Sequence, residues 1–573
     1  MCGIVGVLSD RPIERWRLRK ALQSMQRRGP DDQGEWWSQD GCVGLGHRRL
    51  AIDRAARSDQ PVAGERCRAV VNGEFYGLAE EFKDCSDSWA LPVLYRRHGL
   101  SGTLDRLRGE FAFLLYDEQN RQFLAVRDRF GVKPLYYARR EKEWWFASKP
   151  SALWAAGILP GWCQESFVQA AHTQYPPPGH SLFAGIRTVP PAHVLSLPGP
   201  RIHRYWQIPP AIATVTPDDL LVKLRESVAL RVRRGAPSAV LLSGGVDSAG
   251  VAALAAETGE DVKAFTVDFT GGGTYSEGAK ASRQAGLSGL SHHLVSLSPK
   301  DILRGLPEAV RLTEGLCVNG HLVAKLKLAE AVSADGRQVL LTGEGADELL
   351  FGYRHFAPYF GQEVNPLTDS AGLGILTTLE SSPLARELPA FFHSKWALGR
   401  RICQLLGLPH QAQAAFEKMA ESSLAESPLE NARQAWIQTA LVSYILEVLG
   451  DATEMAHSVE GRPPYLDHHL WEIGMLPPDC DKSLLRSALS GLVTEDILRS
   501  GKHPFMSPAL GQGLLDALHA RVEEEDHPFL DRKAARRTLS QVKTLQGAER
   551  LSWEPALLWV LSSYFLQRSF MLL

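Results

Sequence analysis

The chain has almost no net charge: 63 Lys and Arg nearly balance 65 Asp and Glu, leaving −2. That excludes a global field that would draw it to nucleic acid or to an anionic membrane. No apolar run approaches the ~18 residues of a membrane span. The opening Met-Cys-Gly-Ile-Val-Gly lacks the basic stretch and apolar core of a secretory signal. Cysteine is sparse. Cys2, Cys42, Cys67, Cys85, Cys163, Cys317, Cys403 and Cys480 form no C-x-x-C pair and no metal-ligand spacing. The expectation is a cytoplasmic protein with reduced thiols and with no nucleic acid or membrane as partner. Internal repeats and low-complexity tracts are also missing, and so is a G-x-x-x-x-G-K-S/T phosphate loop.

What is present is ordinary in bulk: 573 residues, 44% hydrophobic and 22% charged. Single cores stop growing at ~250–300 residues, so more than one core is expected. Residues 1–206 read as strand-rich. Short apolar runs at Ile4–Leu8, Cys42–Gly46, Ala69–Val71, Phe111–Tyr116, Gln122–Val126, Leu135–Ala138 and Trp144–Ala147 alternate with Gly, Asp and Pro. Arg15–Gln26 and Leu91–His98 read as helices. Prolines at 176–178, 190–191 and 209–210 mark the approach to a boundary, and a second domain is placed at 207–573. There Thr216-Pro-Asp-Asp is a helix start, with a hydroxyl cap, proline and first-turn acids. Helices at Leu220–Val232, Ser276–Ala285 and Leu322–Ser333 alternate with strands at Val240–Leu242, Lys263–Val267, His292–Val295 and Val339–Thr342. That order predicts a doubly wound, mostly parallel sheet, whose ligands bind at the carboxyl ends of the strands. Residues 362–435 read as mixed helix, and Ala435 to the end as mostly helical.

Ser243-Gly-Gly-Val-Asp-Ser248 lies between the strand Ala239–Leu242 and an Ala-rich helix. Glycines let the backbone approach an anion, and N–H groups at a helix start face it. The stretch is similar to the pyrophosphate loop of ATP pyrophosphatases, which adenylate a substrate. At the other end, Cys2 would become residue one if Met1 were removed. A thiol beside a free α-amine of pKa ~7.7–8.0 supplies nucleophile and base together.

Cys2-Gly-Ile-Val-Gly, Arg28-Gly-Pro-Asp31, Gly46-His-Arg-Arg-Leu-Ala-Ile52, Val71-Asn-Gly-Glu74 and Arg127-Asp-Arg-Phe-Gly-Val-Lys-Pro-Leu-Tyr136 occur in one order. Together they resemble the class II glutamine amidotransferase domain, an antiparallel, layered Ntn-hydrolase-type fold. With Ser243–Ser248 downstream, the chain resembles the glutamine-hydrolysing asparagine synthetase family. The resemblance implies that Cys2 attacks the glutamine amide, with Asn72 and the Gly73 N–H as oxyanion donors. Arg49 would pair with the glutamine carboxylate, and Glu74 and Asp87 with its ammonium. Arg28–Asp31 would build the loop that holds Cys2, and Arg127–Tyr136 would be a structural turn and strand. ATP would lie on Leu242, Ser243, Gly244, Gly245, Asp247, Ser248, Val267 and Gly343, with Mg²⁺ on Asp247 and Asp347. Glu344 would sit near the acyl-adenylate, and Lys502 would neutralise charge as phosphate leaves. Glutamine, ATP and a carboxylate acceptor are the implied partners, with a homodimer possible.

Several positions depart from the family pattern. Cys85-Ser86-Asp87 lacks the usual Gly, and Ala249 stands at the second Ser of the loop. Arg234-Gly-Ala-Pro237 replaces an expected Asp, and Thr313–Leu322 lacks the acidic-Pro segment of aspartate-using enzymes. The region 313–322 holds one acid and no Lys or Arg. The expected acceptor is therefore larger or less charged than free aspartate, unless aspartate is held elsewhere, for instance by Arg462. Alternatives are a specialised-metabolite amide-forming enzyme and an adenylating cyclase that uses an amine nucleophile. Cys2 weighs against the cyclase, and Glu344 against closure of a β-lactam.

Overall fold

The structure is a computed structural model that describes residues 2–52, 59–78, 80–82, 85–232, 236–270, 277–361, 390–411, 427–501 and 507–572. In the first half, two antiparallel six-stranded sheets lie face to face. One runs, edge to edge, through Ile186–Thr188, Tyr136–Arg140, Glu143–Ala147, Cys2–Leu8, Val43–Arg49 and Asp32–Trp37. The other runs through Arg201–Arg204, His193–Leu197, Gln122–Arg127, Arg108–Asp117, Cys67–Tyr76 and Val62–Gly64.

Strand alternation explains the layering, because successive side chains point to opposite faces. Ile4 and Leu45 pack between the sheets with Ala112, Leu114 and Phe123. Val5 and Val7 face the other way, onto Leu18 and Leu22 of the helix Arg15–Ser24. Phe111, Phe113 and Leu115 face Leu91, Leu94 and Leu104 of Ala90–Arg106. Helix, sheet, sheet, helix is thus the layer order. The helix expected at Leu91–His98 continues to Arg106 through a break at Gly99, whose φ is +67°.

The second half is organised on a parallel sheet in the order Ser291–Leu297, Val262–Phe269, Ser238–Leu241, Val339–Leu341, Glu460–Arg462. Ala239, Phe265 and Leu340 face one core, while Val240, Ala264 and Leu341 face the other. Burial on both faces is what a parallel sheet requires. The helix Pro217–Arg231 begins with a reciprocal capping box between Thr216 and Asp219. Ser298 and Asp301 make the same box at Pro299–Thr313, a helix absent from the sequence reading.

The tail is mostly helical, as expected, and it also carries one short strand. Glu460–Arg462 is a strand, paired in parallel beside Val339–Leu341. Its three residues are too few to show a period. Preceding it, Ile437–Asp451 is wound as a π-helix. Residues 362–389 and 412–426 of the mixed stretch lie outside the described residues, as does Ser276.

Buried ion pairs join the halves. Arg231 is 1% exposed and reaches Glu110 at 2.7 Å and Asp467 at 2.9 Å. Arg108 also binds Asp467, at 2.8 Å. Arg28 forks onto Asp451 at 2.6 and 3.1 Å. Removing one partner of such a pair leaves an uncompensated buried charge. Arg231→Met is expected to cost about 3–5 kcal/mol, read as a drop in the urea midpoint. A loss below about 1 kcal/mol would place Arg231 among pairs of surface strength.

Candidate functional site

Cys2 opens its strand directly opposite Arg49 in the antiparallel register. The facing sheet brings Asn72, Gly73 and Glu74 along Cys67–Tyr76. The Cys2 N–H donates to Asn72 Oδ1 at 3.0 Å. Asn72 is fully buried, and its Nδ2 has no partner among the described residues. An orphaned buried donor costs about 1–3 kcal/mol, and beside a thiol it can receive an oxyanion. Gly73 has φ +142°, and a Cβ there would strike the Glu110 carbonyl. Only glycine lets Arg108–Asp117 approach so closely. Burial pushes the Cys2 thiol up from its ordinary value. Forming the thiolate therefore needs a base at hand.

The flanking residues fix this arrangement. Arg28 Nε reaches the Cys2 carbonyl at 3.4 Å. Asp31 accepts the Ala51 N–H at 2.6 Å, so Arg28–Asp31 braces the strand ends that carry Cys2 and Arg49. Asp87 accepts the Phe75 N–H at 2.6 Å, next to Glu74 in the chain, and burial raises its carboxyl. Glu74 itself pairs at 2.9 Å with Arg462, a residue of the parallel sheet. Asp128 accepts the N–H groups of Phe130, Val132 and Lys133 and shapes the Arg127–Tyr136 turn.

The second centre lies where the central parallel strand ends. Ser238–Leu241 leads through Ser243-Gly244-Gly245 into the helix Val246–Glu257. Ser248 Oγ accepts the Ser243 N–H at 2.9 Å, and Ser243 Oγ accepts the Gly245 N–H at 3.1 Å. Gly343 lies against this turn: a Cβ there would stand 3.1 Å from the Ser248 nitrogen. Leu242 and Val267 are buried in the cores flanking the sheet. Asp247 and Asp347 converge on the Lys482 ammonium at 2.6 and 2.5 Å. Sequence reasoning missed Lys482, because 235 residues separate it from Asp247. Its left-handed φ of +57° is not legible in a Lys codon position either. Lys502 lies outside the described residues.

Glu344 pairs with Lys325 at 2.7 Å, and its Oε2 has no partner among the described residues. Burial raises the Glu344 carboxyl, but the Lys325 charge and hydrogen bond outweigh it, and the net direction is down. Glu348 accepts from Trp436 Nε1 at 2.7 Å and from the Tyr353 hydroxyl at 3.0 Å. Burial, then the charge of Asp347, lifts it to about 7.

Two cavities lie along the join. One of about 770 Å³ is lined by Tyr136, Tyr175, Leu316, Val318, Tyr444 and Glu447. The other, about 420 Å³, shares Tyr136 and Glu447 and adds Arg28 and Asp451. The Tyr136 hydroxyl donates to Glu447. Glu314 is spent across the join, on Lys149 at 2.5 Å and on the Ser151 N–H at 2.9 Å.

Comparison with known proteins follows the same division. Residues 1–206 match the glutamine amidotransferase domain, and 219–566 match asparagine synthase. The chain is 30% identical over 574 residues to the protein named amidase chry2 of Gibberella zeae, covering 86% of this chain and 85% of that one. It is 29% identical to amidase chyE of Penicillium rubens, covering 86% and 84%. It is 27% identical over 612 residues to asparagine synthetase (glutamine-hydrolyzing) 3 of Bacillus subtilis, covering 96% and 95%. A buried cysteine beside an amide N–H without a partner, and a serine-glycine turn at the end of a parallel strand, lie each within its own family match, and the matches make one assignment: this chain belongs to the asparagine synthase family.

Proposed function

We propose that the protein is an ATP-dependent, glutamine-hydrolysing ligase that converts a carboxylate to an amide, releasing AMP and pyrophosphate. One observation carries this reading: a single strand serves both centres. Glu460–Arg462 borders the strand that leads to Gly343 and Glu344, and its Arg462 pairs with Glu74 beside Cys2.

At the first centre, the Cys2 thiol attacks the glutamine side-chain amide. Its own α-amine, once Met1 is removed, takes the thiol proton. Asn72 Nδ2 and the Gly73 N–H receive the oxyanion. Arg49 suits the α-carboxylate, because a forked guanidinium binds carboxylate bidentately. Glu74 and Asp87 hold the α-ammonium.

At the second centre, Ser243, Gly244, Gly245 and Ser248 cradle the ATP phosphates at a helix start. Leu242, Val267 and Gly343 border the nucleotide. Asp247 and Asp347 are hard oxygen donors converging on one cation position, so they fit Mg²⁺. When bound, Mg²⁺ supplies charge neutralisation on the pyrophosphate. Lys482 already offers a cation at that position, and Lys502 would neutralise charge as phosphate leaves. Glu344 faces the acyl-adenylate. Reduced thiols would fit a cytoplasmic setting.

The acceptor is the open part of the reading. Aspartate is the family's default. A bulkier, less charged acid is favoured by how the nearby charges are spent. Glu314 is taken by Lys149 and Ser151. Arg462 is fully buried on Glu460 and Glu74, so it is not an aspartate clamp. Tyr353, His355 and Trp436 form a stacked aromatic group beside Glu348.

Three variants test the assignment. Cys2→Ala is expected to abolish glutamine-dependent synthesis and leave ammonium-dependent synthesis intact; loss of both would remove the two-centre reading. Asn72→Ala should lower the glutaminase kcat by about 10²–10³ with little change in KM, the signature of a lost oxyanion donor. Asp247→Asn should stop pyrophosphate release and spare basal glutaminase. Purified enzyme with ATP, glutamine and candidate acids, scored for pyrophosphate and new amide, identifies the acceptor.

A further inference from the structure

The larger cavity at the join, about 770 Å³, has no part in the chemistry described above. Pockets for drug-sized ligands run to ~300–1,000 Å³, so this one is far larger than free aspartate needs. Three stretches wall it: the proline-rich connection 174–212, the loop 313–318 and the helix Ile437–Asp451. Every fifth side chain of that helix meets the cavity, Ile437, Val442 and Glu447 in one row and Gln438, Ser443 and Val448 in the next. Winding of the i→i+5 kind stacks those positions on one wall.

Two of these walls lead to the second centre. The loop 313–318 runs into the helix His321–Ala334. There the His321 ring meets the Tyr444 hydroxyl at 2.8 Å, and Lys325, one turn on, holds Glu344 at 2.7 Å. On the connection, the Tyr175 hydroxyl accepts from Lys395 at 3.1 Å. Lys395 Nζ lies 5.9 Å from the Trp436 ring, whose N–H donates to Glu348.

The lining is mostly apolar, and its carboxylates are committed. Glu430 holds Arg433 at 2.6 Å and the Ala211 N–H at 3.0 Å. Glu447 holds Tyr136 and, at 3.4 Å, Arg127, while Glu314 holds Lys149. Arg129 spends both terminal nitrogens on the Leu104 and Leu107 carbonyls, and Arg204 is exposed on its edge strand. One group in the wall is unspent. Trp559 is fully buried, and its indole N–H has no partner among the described residues. An indole N–H can only donate. Buried without an acceptor it is unfavourable until something in the cavity supplies an oxygen.

We infer that this cavity is the acceptor pocket and that it takes a carboxylic acid with a flat apolar body and a distal carbonyl. The body lies against Tyr175, Leu316, Val318 and Tyr444, and the carbonyl accepts from Trp559 Nε1. This rests on the amide-forming reading above and gives its acceptor a place and a chemical class.

The test is ATP–pyrophosphate exchange by full-length enzyme with 4-acetylphenylacetate, 4-ethylphenylacetate or aspartate. The two aryl acids differ in the distal carbonyl alone. The expected order of kcat/KM is acetyl, ethyl, aspartate. Trp559→Phe removes the N–H and keeps a ring on Phe167. It should raise the KM of the acetyl acid about tenfold and leave that of the ethyl acid within about twofold. Val318→Trp fills the cavity and should raise the KM of both aryl acids by at least about tenfold with kcat retained. Where that variant does not fold, Ser443→Phe narrows the same cavity from the helix and is read the same way. Equal KM changes for the two aryl acids in Trp559→Phe would overturn the assignment, as would unchanged KM values in the filled variant. Exchange with aspartate alone leaves the amide-forming reading standing and removes the pocket. Exchange with none of the three acids strikes that reading itself, and the pocket falls with it.

Discussion

Buried guanidinium groups fix one half of this molecule against the other. Arg28, Arg108, Arg231 and Arg462 are each 9% exposed or less, and each reaches a carboxylate across or beside the join. Desolvating such an ion costs several kcal/mol unless its fork is filled. An apolar join tolerates a small slide, because burial is not directional. Four filled forks do not, since a shift of an ångström would strand charge on both sides. Tyr76 sharpens the constraint, with the Arg231 and Arg462 guanidiniums over its ring at 4.8 and 5.7 Å.

That rigidity places chemistry as well as mass. The strand Glu460–Arg462 has its backbone in the parallel sheet and one side chain, Arg462, on Glu74 of the first half. A change in the charge around Glu74 is therefore felt by a strand adjacent to the one that ends at Glu344.

The sequence made the strands around Cys2 and the serine-glycine turn legible because both are local. Alternation, glycine placement and the strand-turn-helix order occur within a few residues. The capping box at Thr216 is legible for the same reason, and the one at Ser298 carried the same signal, Ser-Pro-Lys-Asp, unread. What was not legible depends on distant partners. Lys482 is an unremarkable lysine until the fold sets it between Asp247 and Asp347. Glu460–Arg462 is too short to declare itself a strand, and its role comes from a neighbour over a hundred residues earlier. The meaning of Gly461 is likewise set by the carboxylate that fills its missing Cβ. Arg462 was likewise visible in the sequence, but its commitment to Glu460 and Glu74 was not.

Commitment of charge also bears on selectivity. A site for a zwitterionic acid must keep a cation and an anion uncommitted, since a buried polar group left unpaired penalises every substrate lacking its complement. Near the second centre the charged groups are already spent: Glu314 on Lys149, Glu344 on Lys325, Glu348 on Trp436 and Tyr353. Lys395 donates to Gln174 at 2.6 Å and lies 5.1 Å from the Tyr175 ring. Opening any of these pairs to admit free aspartate would cost what the pair contributes. An acid that carries apolar or aromatic bulk would instead meet Tyr353, His355 and Trp436 and leave the pairs closed. Discrimination would then come from what the site declines to unpair.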